Sequence, residues 1–526
     1  MIHDTLSGKY MAFILLVILA AVPHSVNAAV HCVTKQGGGC DTSICVDCSL
    51  KIQDGIDKAL NGDEVRVAAG TYSDRTTVSI NVNGTNYPVT QVAVIKDKSL
   101  TLRGGYTTSN WAASDPLANA TIIDVKGYLI GAGRGITVRG NGTEKVAIDG
   151  FTVQNGNYTG LGCAGNFGGG MDCGGGVYVF NSQIKLSNSI IRNNIGSTVN
   201  MCTGGGVFLY QTRVGSELNQ VTVQGNECPT TAGYGIGGGI AVDSSLGLLS
   251  IANSTIQNNI SHNDGGGLYL LNPGKLVWIT DTRFVGNIAS NDKGGGMYAM
   301  VTMDQSSGTA LVMDRVRFDQ NAGQSGTAIY LDHGGSYPSR VEINNLLLTR
   351  NQSSYTGPTA SLIKIASLGV DFNVFLRQLT VAGDNSCGSF LEAYAANNLG
   401  YVVQVQVQNA LIDSVPIAFY GNNDTTAGVL NLEFSNTLIH NVPTLTQGDD
   451  GAGVNLDGSN TITADPLLDT TYHLKSGSPA INHGMVTNVS TDIDGDSRPA
   501  GGAYDIGADE YRFPWIMFNP AFIKHQ

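Results

Sequence analysis

Apolar and polar residues alternate in short runs through the middle of this 526-residue chain. Val177 and Val179, then Ile184 and Leu186, then Ile191 form one such set, and similar sets recur down the chain. Alternation with period 2 marks a half-buried β-strand, so each set predicts three short strands. A triple glycine opens each set: Gly174-Gly175-Gly176, Gly204-Gly205-Gly206, Gly237-Gly238-Gly239, Gly265-Gly266-Gly267 and Gly294-Gly295-Gly296. Gly326-Thr327-Ala328 is a decayed sixth copy. First glycines are separated by 30, 33, 28, 29 and 32 residues, and self-similarity near one period signals stacked repeats. A unit that cannot bury its apolar face alone shares one continuous core with its neighbours.

A second marker travels with the glycines. Asn194, Asn226, Asn259, Asn287, Asn321 and Asn351 each stand three residues after an apolar position. From glycine to asparagine the distances are 20, 22, 22, 22, 27 and 25, and from asparagine to the next glycine 10, 11, 6, 7 and 5. The first stretch is the coil, and the second behaves as a surface loop that tolerates insertion. Three strands per turn of about twenty-two residues describe a parallel β-helix, its coils stacked at about 4.8 Å. Asparagine tolerates the left-handed backbone of a coil corner, and identical amides one coil apart form a hydrogen-bonded ladder. The glycines supply positive φ and close approach where the loop rejoins the stack. They do not read as a phosphate loop, which needs a strand-to-helix turn. These glycines open strands.

The stack needs covered ends, because a terminal coil presents unpaired strand edges. Leu50, Ile52, Ile56, Ala59 and Leu60 recur at helical spacing and predict a capping helix. Strand-turn units continue after the glycines fade, through Val341–Leu348, Phe372–Val381, Tyr401–Ile412 and Leu430–Ile439. Before the cap, an apolar run of twelve from Met11 to Val22 follows Lys9 and ends at Val26-Asn27-Ala28, as in a secretory signal peptide. The expected division is a signal peptide at 1–28, a cysteine-rich N-terminal cap at 29–62, the β-helix at 63–440, a C-terminal β cap at 441–512 and a tail at 513–526.

Composition narrows the partners. A net charge of −13 disfavours nucleic acid and anionic membrane, which need basic patches, and the mature chain has no integral membrane segment. All nine cysteines follow the apolar run. Cys32, Cys40, Cys45 and Cys48 crowd the mature start, where Cys45-x-x-Cys48 suits zinc but an exported chain favours disulfides. Cys163, Cys173, Cys202 and Cys228 lie beside the glycine motifs, where they would staple neighbouring coils, and Cys387 is left over.

For chemistry, Asp124, Asp149, Asp172, Asp243, Asp264 and Asp292, with Arg134, Arg139 and Lys293, fall at strand ends or in loops. They scatter over unmatched coil positions, so no catalytic residue is assigned. His333, His473 and His483 are isolated in sequence. Asp492, Asp494 and Asp496 alternate as a hard cation such as calcium requires. The competing reading is an Asx-rich turn with Arg498 paired to an aspartate. No other cofactor is expected.

The pairing of Gly-Gly-Gly with Phe-x-x-Asn, seen at Phe284–Asn287 and Phe318–Asn321, resembles the polymorphic outer-membrane protein repeat. Cys48-Ser49-Leu50 is similar to a segment that opens many bacterial surface β-helices. The run Ala464-Asp465-Pro466, Gly477-Ser478-Pro479-Ala480-Ile481, Asp492–Pro499 and Asp505–Glu510 resembles the choice-of-anchor Q domain of secreted bacterial proteins. These resemblances imply an all-β, right-handed, single-stranded parallel β-helix of the pectate-lyase-like kind, secreted or held at the cell surface or outer membrane. The expected function is non-catalytic adhesion to extracellular glycans or surface macromolecules through the variable loops. The alternative is a polysaccharide lyase or glycoside hydrolase. Three or more carboxylates converging with an Arg or Lys would favour the enzyme.

Overall fold

A repeating alternation of inward apolar and outward polar residues can bury its apolar set by winding into a tube. From Val30 to Thr463 the chain does so, as a right-handed parallel β-helix of about 12 turns. This computed structural model describes residues 28–35, 39–82, 85–126, 131–163, 171–229, 233–271, 275–302, 308–335, 337–383, 386–395, 400–423, 428–448 and 453–512. The expected signal peptide, apart from Ala28, and the tail at 513–526 lie outside the described residues. No helix among the described residues is long and apolar enough to cross a membrane.

Two large sheets wall the tube. The first, here the tyrosine face, has 13 strands, including Val177–Phe180, Leu268–Leu271, Met297–Met300 and Ile329–His333. Its N-terminal edge is closed by an antiparallel pairing of Thr76–Val82 with Thr85–Lys96. The second is a bent sheet of 19 strands. Its long strands, such as Gln183–Arg192 and Gly308–Asp319, turn a corner at one left-handed residue. That residue is Asn188, Gln220, Asn253, Asp281, Arg315, Asn345, Gln378, Asn409 and Asn436 in successive coils. Inside, Val177, Val179, Leu268, Leu270, Met297 and Ile329 belong to one continuous core.

The asparagines stack in register inside the tube. Asn226 donates through Nδ2 to Asn259 Oδ1 at 3.0 Å and to the Ile191 carbonyl at 2.9 Å. Its backbone N–H also donates to Asn259 Oδ1, at 3.0 Å. Asn194, Asn259, Asn287 and Asn321 repeat the pattern, and Asn351 closes the row. All six are fully buried. The left-handed backbone, however, sits one residue earlier, at Asn193, Gly225, Asn258, Gly286, Gln320 and Arg350. Corner geometry and ladder chemistry are thus divided between adjacent residues, because a residue bending the chain outward cannot also aim its amide inward. The triple glycines abut this row: a Cβ on Gly176 would lie 2.6 Å from the Gly206 carbonyl oxygen and 2.9 Å from Asn194 Nδ2.

The N-terminal helix α1 spans Ile52–Lys58 and seats Ile52 and Ile56 on the core. Leu50 and Leu60 fall outside it and are exposed. The first coil begins earlier than expected, since Val30–Val33 pairs with both Asp47–Ser49 and Glu64–Ala68. Disulfides join Cys32 to Cys45, Cys40 to Cys48, Cys163 to Cys173, and Cys202 to Cys228; Cys387 is a free thiol. Four disulfides suit an oxidising, extracellular compartment. At the other end the stack continues past residue 440: Thr444–Gly448 and Val454–Thr463 pair in parallel with the preceding coil. Residues 464–512 then run back along the flank of the bent sheet, where Leu474, Ala480 and Ile506 pack on Leu411 and Leu438.

Candidate functional site

Outward positions of the tyrosine face form columns, because parallel register repeats each strand position one coil on. One column reads Tyr178, Phe208, Ala241, Tyr269, Tyr298, Tyr330, Lys364 and Glu392. Tyr269 and Tyr298 stack with centroids 5.1 Å apart, and Tyr298 and Tyr330 at 5.4 Å. The rings use their faces on one another, and Tyr269, Tyr298 and Tyr330 are only 8%, 4% and 6% exposed, so little more than ring edges reaches solvent.

Carboxylates gather along this row. Tyr298 Oη donates to Asp332 Oδ2 at 2.9 Å. Asp332 is only 9% exposed, and its Oδ1 has no hydrogen-bond partner among the described residues. Asp264 and Asp292 stand on neighbouring loops at the edge of the face, where the Lys293 N–H donates to Asp264 Oδ1 at 3.2 Å. Burial, then the adjacent Asp292 carboxylate, pushes the Asp264 carboxyl up to about 7, with Asp332 adding to the shift and Lys293 opposing it. The same burial and the same acids raise Tyr298 and Tyr330 above the ordinary phenol range.

Two lysines offset these charges. Lys293 Nζ lies 4.0 Å from Asp292 Oδ1 and 5.2 Å from the centre of the Tyr330 ring. Lys364 Nζ bonds Glu392 Oε1 at 2.6 Å, and Ser361 Oγ donates to Glu392 Oε2 at 3.3 Å. Glu392 is fully buried, which raises its carboxyl, while Lys364 and the serine pull it down.

Four of the six aspartates named from the sequence do other work. Asp124 accepts from Gln154 and Asn155. Asp149 accepts from Arg103, Ser187 and Asn188. Asp172 is buried under the N–H groups of Gly160 and Gly162 and the Ser197 hydroxyl. Arg134 is buried between the Tyr158 and Tyr178 rings, 3.6 and 4.6 Å from their centres, and Arg139 lies over Phe180. Asp243 holds the Ser244 hydroxyl at 2.7 Å at the end of its strand. Asp264, Asp292 and Lys293 do converge, in contrast to the scatter expected from their spacing, because the short loop strands Ile260–Ser261 and Ile288–Ala289 pair and align both loops. Asp332, Glu392 and Lys364 are not among the sequence candidates; Tyr269, Tyr298 and Tyr330 follow the glycine motifs at a fixed offset, and Tyr330-x-Asp332 carries the period-2 signal to Asp332.

The calcium candidates turn to different partners. Asp492 Oδ1 accepts the N–H groups of Asp494 and Asp496 at 2.9 and 2.8 Å, and Oδ2 accepts that of Glu510 at 3.2 Å. Asp494 pairs with His473 at 2.6 Å and with Arg317, and Asp496 with Arg512 at 2.6 Å. Arg498 pairs with Glu510, at 2.7 Å, rather than with an aspartate. Asp492 Oδ1, with two N–H groups of its own loop, makes an Asx-type turn. Among the described residues, the metal-type donors that lie within 4.8 Å of one another are His473, Asp494 and Asp509. His333 is buried against Phe372, and His483 bonds the Ile481 carbonyl.

No family model matches the chain, and no curated protein matches it. Among solved structures, pectate lyase Pel9A is similar over 92% of this chain and 96% of its own, at 12% identity and a TM-score of 0.40. XylC in complex with xylose is similar over 91% and 98%, at 10% identity and 0.40. The Agl-KA catalytic domain is similar over 76% and 63%, at 11% identity and 0.41. At this level of likeness, activity has to be read from the residues of the chain itself.

Proposed function

We propose that the protein is a secreted glycoside hydrolase that cuts an extracellular polysaccharide on its tyrosine face. The observation carrying this reading is the gathering of Asp264, Asp292 and Asp332 around the tyrosine row with Lys293 beside them. Glycoside hydrolysis needs one carboxyl that keeps its proton and one carboxylate that does not. Asp264, raised to about 7, is the general acid that protonates the departing sugar oxygen. Asp292 is the partner carboxylate, its charge adding to burial in holding the proton on Asp264. Asp332, buried and anchored by the Tyr298 hydroxyl, adds negative charge that helps hold the proton on Asp264. The four disulfides and the resemblance to repeats of exported bacterial proteins fit a polysaccharide met outside the cell.

The experiment is a depolymerisation screen over plant and bacterial polysaccharides, read as new reducing ends, with and without calcium. Hydrolysis that falls off above pH about 7 and is lost in Asp264→Asn is the expected result. Products absorbing in the ultraviolet would make the enzyme a lyase instead. Binding on a glycan array with no turnover of any bound glycan would return the chain to non-catalytic adhesion.

A further inference from the structure

The corner of the bent sheet is a row of left-handed residues, and such a residue points its side chain away from the tube. Five successive corners are already used. Asn436 Nδ2 donates to the His483 carbonyl at 2.9 Å, and Asn409 Nδ2 to that of Met485 at 2.8 Å, while the Met485 N–H returns a bond to Asn409 Oδ1 at 2.8 Å. The Gln378 amide, turned to satisfy both its ends, donates to the carbonyls of Gly507 at 3.0 Å and Asp505 at 3.1 Å. Asn345 donates to the Thr491 carbonyl at 2.9 Å, and Arg315 to the Thr491 hydroxyl at 3.2 Å. The row therefore grips main-chain carbonyls of an irregular segment that runs back along the tube axis. Beside three of the five grips an outward apolar residue is covered, namely Leu347, Leu411 and Leu438.

Nearer the N-terminus the same row continues uncovered. Asn188, Gln220 and Asn253 are exposed corners. They lead into an open groove of about 840 Å³ walled on its far side by Pro116 and Leu117. Ile190 is the outward residue at the register position that Leu347, Leu411 and Leu438 hold in later coils. It supplies the apolar floor, and Leu117 at the lip is 97% exposed. A volume of this size suits several residues of an extended ligand.

We propose that this groove binds an extended peptide segment of a partner protein, gripped through a carbonyl by Gln220 and seated by one apolar side chain between Ile190 and Leu117. Continuity with the intramolecular interface selects the occupant: four of the five filled corners hold peptide carbonyls. Charge agrees. Arg103 in the groove is already paired with Asp149 at 3.0 Å and Glu64 at 2.9 Å, and Arg66 with Glu64 at 2.8 Å. The paired guanidiniums favour an uncharged ligand over an anion. The site lies on the bent sheet, apart from the acids of the tyrosine face.

The test titrates the full chain with an end-blocked synthetic peptide copying residues 482–491, with a neutral hexasaccharide as the second ligand. The peptide is expected to bind, and Gln220→Ala and Leu117→Ser are each expected to weaken it at least about fivefold; both positions are exposed, so folding is spared. No binding at millimolar peptide overturns the proposal. So does affinity unchanged in both variants, which would mean the peptide had displaced the protein's own segment. Binding of the hexasaccharide in place of the peptide overturns it as well.

Discussion

The inner asparagine row and the outer tyrosine row are built by the same repeat, one coil apart in every member, yet they end in opposite states. Inside, each amide of the row is spoken for: Asn259 gives Nδ2 to Val223 and Asn287 and takes two bonds from Asn226 on Oδ1. Outside, Asp332 keeps a buried oxygen without a partner among the described residues, and burial with the Asp292 charge raises the Asp264 carboxyl to about 7. Buried polar groups are nearly always satisfied in folded proteins, and the exceptions call for an account. A repeat that can satisfy its amides to completion has the means to satisfy its acids too. Where it does not, at Asp332, the shortfall falls on the face proposed to act.

This contrast can be broken most sharply at Asp264. Asp264→Asn is expected to lower turnover about 10²- to 10⁴-fold, the usual worth of a general acid, with the unfolding midpoint in denaturant no lower than that of the parent. A variant that unfolds easily while keeping its turnover would move Asp264 to the structural side. The inner row predicts the reverse. In Gly238→Ala the new Cβ would stand 2.4 Å from the Ile260 carbonyl carbon and oxygen. That clash is expected to cost about 3–4 kcal/mol, read by chemical denaturation. Asn259→Ala strands partners on both neighbouring coils and should cost about 3 kcal/mol. A loss below about 1 kcal/mol would mean that the row is ornamental.

The smallest expected effect is on pH. An unfolded aspartate titrates near 3.9, whereas folded Asp264 titrates near 7. The folded protein thus binds the extra proton in between, and stability declines as pH rises from about 4 to about 7. The decline should approach about 2 kcal/mol after screening and vanish in Asp264→Asn. Denaturation curves at pH 5 and pH 8 would measure it.

Much of the tube could be read before any coordinates, because its markers are obligatory. Only glycine fits at Gly176 against Asn194, and only a short amide spans one coil to the next. The acids were harder. Asp264 stands one residue before its glycine and Asp292 two before its own, so counting makes them unequal, while pairing of the loop strands makes them neighbours. Asp332 hides at the far end of its strand, where it reads as an ordinary polar position. The folding-back of residues 464–512 also left a trace that alternation alone passes over. Leu346-Leu347-Leu348 and Ala410-Leu411-Ile412 are apolar on both strand faces, and an outward leucine in a solvated sheet calls for a second layer above it.

The two ends of the tube are fastened by unlike means. Every disulfide lies before residue 230, while the later coils from Arg315 to Asn436 are bound by a strap of hydrogen bonds and leucines. Under mechanical load the column should therefore unravel with a polarity. Tension on the C-terminal side peels the strap and then frees coils singly, each release a short step, while the covalently clipped half holds its length. A reductant would weaken only that clipped half. The molecule is a rod with one end riveted and the other laced.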